Sequence, residues 1–98
     1  MQVFAKRIFR EYSARYPTVA AELFEIYNDL LDAEWEKGAD VRAWDPKADY
    51  VGNDRWVINV ARNRHRLIVR IFFPAKQVYV RFLGTHAEYD AIPDIKTV

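Results

Sequence analysis

Ninety-eight residues, 51% hydrophobic and 30% charged with three Gly and four Pro, suffice for one cored domain over residues 1–98 and exclude disorder, collagen-like repeats and low complexity. The lack of cysteine excludes a disulfide scaffold, a thiolate zinc site and thiol catalysis, and no apolar run approaches the roughly 20 residues of a membrane span. Residues 1–7 lack the apolar stretch of a secretion signal, so a cytoplasmic location away from membranes is expected.

The formal charge of +1 conceals two unequal halves. Residues 1–50 hold seven Lys/Arg against ten Asp/Glu, a net −3, and residues 51–98 hold eight against four, a net +4. No acidic residue stands between Arg55 and Ala87, where Arg55, Arg62, Arg64, Arg66, Arg70, Lys76 and Arg81 all fall. The planar fork of arginine matches phosphate oxygens better than an ammonium does. Such a block points to a polyanionic partner, with a merely solvated charged face as the alternative.

In chain order, Gln2-Val3-Phe4 reads as a short strand or the start of the first helix. From Lys6 to Tyr16, Ile8, Phe9, Tyr12 and Tyr16 recur at helical steps. Pro17 ends that helix by driving the preceding residue out of the α region. Thr18 is the expected N-cap of a second helix from about Val19 to Trp35, striped by Leu23, Ile26, Tyr27, Leu30 and Leu31 and closed by Gly38. Ala39 to Asp54 reads as a loop with a short element around Val41–Trp44. The period then becomes two: Arg55–Ala61, His65–Phe73 and Gln77–Leu83 make an antiparallel meander with short turns.

Alternation sorts the side chains of these strands. Trp56, Ile58, Val60, Leu67, Val69, Ile71, Phe73, Val78, Val80 and Phe82 are expected against the helices. Asn59, Arg66, Arg70, Tyr79 and Arg81 then share the other face. Cations, an amide and an aromatic ring together suit single-stranded nucleic acid.

After the last strand, Thr85 and Glu88 form a T-x-x-E capping box, so a short helix is expected there with capping as Glu88's role. His86 falls in its first turn, and Tyr89 shares its face three residues on. A neutral imidazole beside arginines is a credible acid or base for phosphodiester chemistry, although a histidine at a helix start is often only a hydrogen-bonding group. His86, Glu88 and Asp90 diverge too far on a helix for a metal site, and His65 reads as structural. No glycine-rich phosphate loop or H-E-x-x-H stands in the chain, so no metal and no cofactor is expected.

Several stretches together resemble a known family. They are Ala48-Asp49-Tyr50-Val51-Gly52, then Val57-Ile58-Asn59-Val60 with Asn63-x-x-Arg66-Leu67-Ile68, then Val78-Tyr79-Val80-Arg81 and Thr85-His86-Ala87-Glu88-Tyr89-Asp90. Their order and spacing over roughly residues 48–90 are similar to the HigB-type toxins of bacterial toxin–antitoxin modules, within the RelE/ParE superfamily. Ile58 replaces the usual Phe, and Ala61-Arg62 the usual Gly-rich turn, changes of packing and turn shape rather than of the polar set.

The resemblance implies a compact α+β, RelE-like domain: a short first strand, two helices on an antiparallel sheet, and a short C-terminal helix. It also implies a metal-independent endoribonuclease that cuts mRNA, typically on the translating ribosome. The implied partner is a helix-turn-helix, HigA-like antitoxin, through which alone operator DNA is contacted. The implied functional positions are Arg66, Arg81, His86 and Tyr89. Arg66 and Arg81 are assigned to the phosphorane, His86 to acid or base catalysis, and Tyr89 to proton transfer or nucleotide stacking. Asn59 and Arg70 are expected to hold substrate, and Arg62, Arg64 and Lys76 to grip RNA phosphates. The competing expectations are a non-enzymatic ParE-like toxin of DNA gyrase and a plain RNA-binding module.

Overall fold

Pro17 divides the helical region where expected. The computed structural model, which describes residues 1–4 and 6–98, begins with β1 (Gln2–Phe4), α1 (Lys6–Arg15), a 3-10 turn (Pro17–Val19) and α2 (Ala20–Asp32). It continues with α3 (Gly38–Trp44), β2 (Asp49–Gly52), β3 (Arg55–Val60), β4 (His65–Phe72), β5 (Gln77–Thr85) and α4 (His86–Asp90). None of the described helices is long and apolar enough to cross a membrane.

Three boundaries differ from the sequence reading. Pro17 starts a 3-10 turn at once, so Thr18 lies inside it and Val19 takes the N-cap position without a side-chain cap. Helix α2 stops at Asp32 because Ala33 turns extended, at φ −64° and ψ 140°. The amino nitrogen of Met1 donates to the carbonyls of Leu30, Leu31 and Ala33, satisfying acceptors that a helix end leaves open. Gly38 opens α3 rather than closing α2. The Asp40 carboxylate accepts from the backbone N–H groups of Glu36 and Lys37, fixing the first turn. A Cβ on Gly38 would stand 3.0 Å from the Trp56 ring, so glycine also permits that close approach.

The five strands form one sheet in the order β1-β5-β4-β3-β2. The expected meander is its centre, and the α+β, RelE-like architecture is the one observed. Two features extend it. Strand β2 emerges from the segment read as loop, and β1 pairs parallel to β5, which makes the sheet mixed. Helices α1, α2 and α3 cover one face, burying Phe9, Tyr12, Leu23, Leu30 and Val41 on Trp56, Ile58, Leu67, Val69 and Val78.

A bulge inverts the last strand. Val69 pairs with Val80 but Ile68 pairs with Phe82, leaving Arg81 as the extra residue. Beyond it Leu83, not Phe82, packs against the helix-side core, and Phe82 turns toward Tyr89 on the other face. That face is itself partly covered: Val57 and Ile68 are buried there although they lie outside the helix-side cluster. Helix α4 and the segment that follows it run across it.

Candidate active site

The β3–β4 turn sets the position of the first functional side chains. Ala61, Arg62 and Asn63 all adopt left-handed backbone, at φ 51°, 56° and 88°. None is glycine, so the turn carries strain that its surroundings must hold. Glu22 on α2 does so, both carboxylate oxygens accepting the Ala61 N–H at 3.1 Å. At the other side of the turn, the Arg64 carbonyl accepts the His86 N–H at 2.9 Å and ties the turn to the start of α4.

This frame aims Asn63 at Arg66. The Asn63 Oδ1 accepts from Arg66 Nε at 2.9 Å and also from Nη2, a fork that fixes the guanidinium plane. The guanidinium carbon then lies 4.6 Å from the centroid of the Tyr89 ring. Phe82 flanks Tyr89 at 6.5 Å between centroids. Across the ladder from Arg66 stands Gly84, where a Cβ would be 2.5 Å from Phe82 Cζ, so the bare backbone makes room for that ring. Asn59 pairs with Arg66 on the opposite side.

Helix α4 supplies the rest. Its capping box forms as expected: Thr85 Oγ1 accepts the Glu88 N–H at 3.2 Å, and Glu88 Oε1 accepts the Thr85 N–H at 2.9 Å. The hydrogen bonds from the Thr85 backbone and hydroxyl hold the Glu88 carboxyl below its usual range, with Arg15 and His65 adding smaller attractions. One turn along the same helix, His86 Nδ1 lies 2.9 Å from Asp90 Oδ2, both side chains about half exposed. Tyr89 thus leans on Arg66 and Phe82, whereas His86 is oriented by Asp90.

A second group of arginines lies farther along the same face. Arg55 pairs with Arg70, and Arg70 with Tyr79. Arg55 is buried, and burial together with Arg70 and Arg81 pulls its pKa below the ordinary arginine value. Both Arg55 and Arg81 donate to the backbone oxygen of Val98. Arg81 therefore joins this group, and among the described residues it makes no hydrogen bond to Tyr89.

The turn arginines Arg62 and Arg64 are exposed beside α4. Lys76 lies at the opposite end of the sheet, its ammonium donating to the Trp35 carbonyl at 2.8 Å with Glu36 at 4.0 Å, so it is not gathered into either group. His65 is buried on the helical side, its Nδ1 2.6 Å from the Tyr12 hydroxyl. Among the described residues no three His, Cys, Asp or Glu side chains converge as a metal site would require.

Four members of the two groups were not picked out as site residues from the sequence. Asn63 and Asp90 had visible signals, the former three residues before Arg66 and the latter one helical turn after His86. Arg55 looks like any other strand arginine. Phe82 was hidden by the bulge.

The model of the HigB toxin family, described as the RelE-like toxic component of a toxin–antitoxin system, matches residues 19–92. The chain belongs to the HigB toxin family. It is 29% identical to the mRNA interferase HigB of Escherichia coli O6:H1 (strain CFT073) over 94% of this chain and 91% of that protein. It is 27% identical to the mRNA interferase toxin HigB of Escherichia coli K12, and to the mRNA interferase HigB of Shigella flexneri, in both cases over 92% of this chain and 88% of the relative. The matched span contains Arg55 through Asp90, so both arginine groups of this HigB-family toxin lie within it.

Proposed function

We propose that this HigB-family toxin is an mRNA interferase, a metal-independent endoribonuclease that acts on mRNA in the translating ribosome. The observation that carries the reading is Arg66, on the acid-free stretch Arg55–Ala87, locked by Asn63 over the Tyr89 ring. A planar cation fixed beside a tyrosine is suited to a phosphate with a stacked nucleotide next to it. The name mRNA interferase borne by relatives at 27–29% identity supports the same substrate.

In the proposed reaction the ribose 2′-oxygen loses its proton to a base and attacks the adjacent phosphorus. The P–O5′ bond breaks, and the departing 5′-oxygen takes a proton from an acid. The products are a 2′,3′-cyclic phosphate and a 5′-hydroxyl. Arg66 neutralises the charge that develops on the phosphorane. His86, oriented by Asp90, serves as one proton-transfer group. Tyr89 serves as the second or stacks the nucleotide. Asn59 and Arg70 hold the strand, Arg81 takes backbone charge beyond the scissile group, and Arg62 and Arg64 grip ribosomal RNA phosphates.

The ribosome's role is positional. A shallow site with few acids and bases gains most from a substrate already held in line, an effect worth up to about 7–11 kcal/mol. The proposed partner is a helix-turn-helix antitoxin, which alone would contact operator DNA. The end chemistry of the fragments tests the mechanism. Cyclic-phosphate and 5′-hydroxyl ends are expected. Fragments with 3′-hydroxyl and 5′-phosphate ends would contradict it.

A further inference from the structure

The group formed by Arg55, Arg70 and Arg81 lies farther along the face than the Arg66–Tyr89 pair. Arg70 is four residues from Arg66 on β4, or ~13 Å at the rise of a strand. Next to it a cleft of about 450 Å³ is lined by Arg70, Phe72, Gln77, Tyr79 and Arg81. Phe72 is 46% exposed there. Phe4 stacks on Tyr79 with centroids 4.8 Å apart and planes 10° from parallel, extending an aromatic floor to the sheet edge.

Two guanidinium groups of this cluster converge on a single oxygen. Arg55 is only 7% exposed, and its guanidinium donates to the oxygens of Asn53 at 2.9 Å and of Val98 at 3.3 Å from Nε and 2.9 Å from Nη2, with Asp54 adding an electrostatic attraction. Arg81 Nε adds a third N–H to that same Val98 oxygen at 3.1 Å. One oxygen of residue 98 thereby gathers two guanidinium groups, a position that a phosphate oxygen can take in its place. Arg70 has one carboxylate near it, Asp54 at 4.0 Å.

The Val98 oxygen arrives on residues 91–98, which belong to no helix or strand. Ile92, Ile95 and Val98 are half-buried, and side chains of the sheet hold the segment at residues 96 and 98. Asn53 Nδ2 donates to the Lys96 carbonyl at 2.8 Å, and Asp94 closes a small turn by accepting from Lys96 and Thr97.

We propose that Arg55, Arg70 and Arg81, with the Tyr79–Phe72 aromatic floor, form a second nucleotide subsite for single-stranded RNA, and that residues 91–98 are a strap occupying it until RNA displaces them. The subsite takes the backbone phosphate of a nucleotide beyond the scissile one on the arginines and its base on the rings, resting on the RNA-cleaving reading of the same face. The strap acts as an internal competitor. It lowers apparent affinity by the fraction of time it stays seated.

The test uses the full chain and a 2′-O-methyl oligoribonucleotide, which has no free 2′-hydroxyl and therefore reports binding without cleavage. Asn53→Gly unties Lys96 while keeping every arginine, and the φ of 51° at that position suits glycine. It is expected to tighten binding several-fold. Tyr79→Ala is expected to weaken binding about tenfold, and Arg70→Gln to reduce the salt slope by about one. In the wild type, amide hydrogen exchange over residues 94–98 is expected to quicken when the oligonucleotide saturates the protein. Unchanged affinity in Asn53→Gly, or exchange over 94–98 that stays the same or slows, would overturn the strap. Wild-type binding in both Tyr79→Ala and Arg70→Gln would overturn the subsite while leaving cleavage at Arg66 standing. A wild type that neither binds this oligonucleotide nor cuts mRNA overturns both.

Discussion

The Arg66 guanidinium carbon lies over the Tyr89 ring, 4.6 Å from its centroid, although one residue stands on β4 and the other on α4. Their pairing depends on Asn63, which grips the guanidinium, and on the Arg64 carbonyl, which ties the turn to α4. Lysine keeps the charge but has neither the fork nor the plane. Arg66→Lys is therefore expected to lose cleavage on the order of a hundredfold, measured at single turnover. Asn63→Ala, which keeps Arg66 but frees it, is expected to fall about tenfold through misplacement. Full activity in Arg66→Lys would mean that charge alone suffices.

Stability and RNA contact are expected to separate at Arg62. Its φ of 56° costs an L-residue energy that glycine avoids. Arg62→Gly is expected to raise unfolding stability by about 0.5–1 kcal/mol after the added freedom of the unfolded chain is counted. The same change removes a proposed phosphate contact, so the salt slope of RNA binding is expected to drop by about one. Denaturant unfolding and a salt titration measure the two effects on one variant.

The Tyr12 hydroxyl is pushed up to about 12, first by burial and then by Tyr16 and Glu88, against a small opposing pull from Arg15. A folded pKa above the unfolded value of about 10 gives stability that is complete below pH ~10 and is lost as pH rises toward ~12. Tyr12→Phe removes the bond to His65 at a cost of about 1 kcal/mol near neutrality. It is also expected to flatten the alkaline loss. Denaturant midpoints at about pH 9 and about pH 11 would show it.

At acid pH the vulnerable element is α4. Glu88 titrates below its usual value because Thr85 hydrogen-bonds its carboxylate. That contribution is present above the unfolded carboxyl range and disappears as pH falls through the folded value. The Thr85 amide, which donates to Glu88, is expected to lose protection before the amides of β4 do. Thr85→Ala is expected to cost about 1 kcal/mol and to loosen Tyr89 with the helix.

Much of this site is written in local patterns. The alternation along β4 put Arg66 and Arg70 on one face, and the T-x-x-E spacing placed His86 and Tyr89 on a short helix. What local pattern does not encode is how such pieces meet. The bulge at Arg81 left no trace because Phe82 and Leu83 are both apolar and exchange roles without changing the pattern. Helix α3 and strand β2 are short, and their packing rather than their periodicity defines them. Lys76 resembled its basic neighbours, but the turn that bears it lies at the far end of the sheet, where its ammonium meets the Trp35 carbonyl.

The most direct test of the central claim is primer extension on an mRNA translated in a purified system. Wild type, an Arg66→Ala variant, a His86→Ala/Tyr89→Phe double variant and a reaction without ribosomes are compared. Discrete breaks within the coding sequence are expected for wild type with ribosomes present, and strong loss of them in both variants and in the ribosome-free control. Breaks of equal strength in Arg66→Ala would contradict the site assignment. Intact mRNA under a toxin that still arrests growth would contradict RNA cleavage itself and turn attention to DNA gyrase.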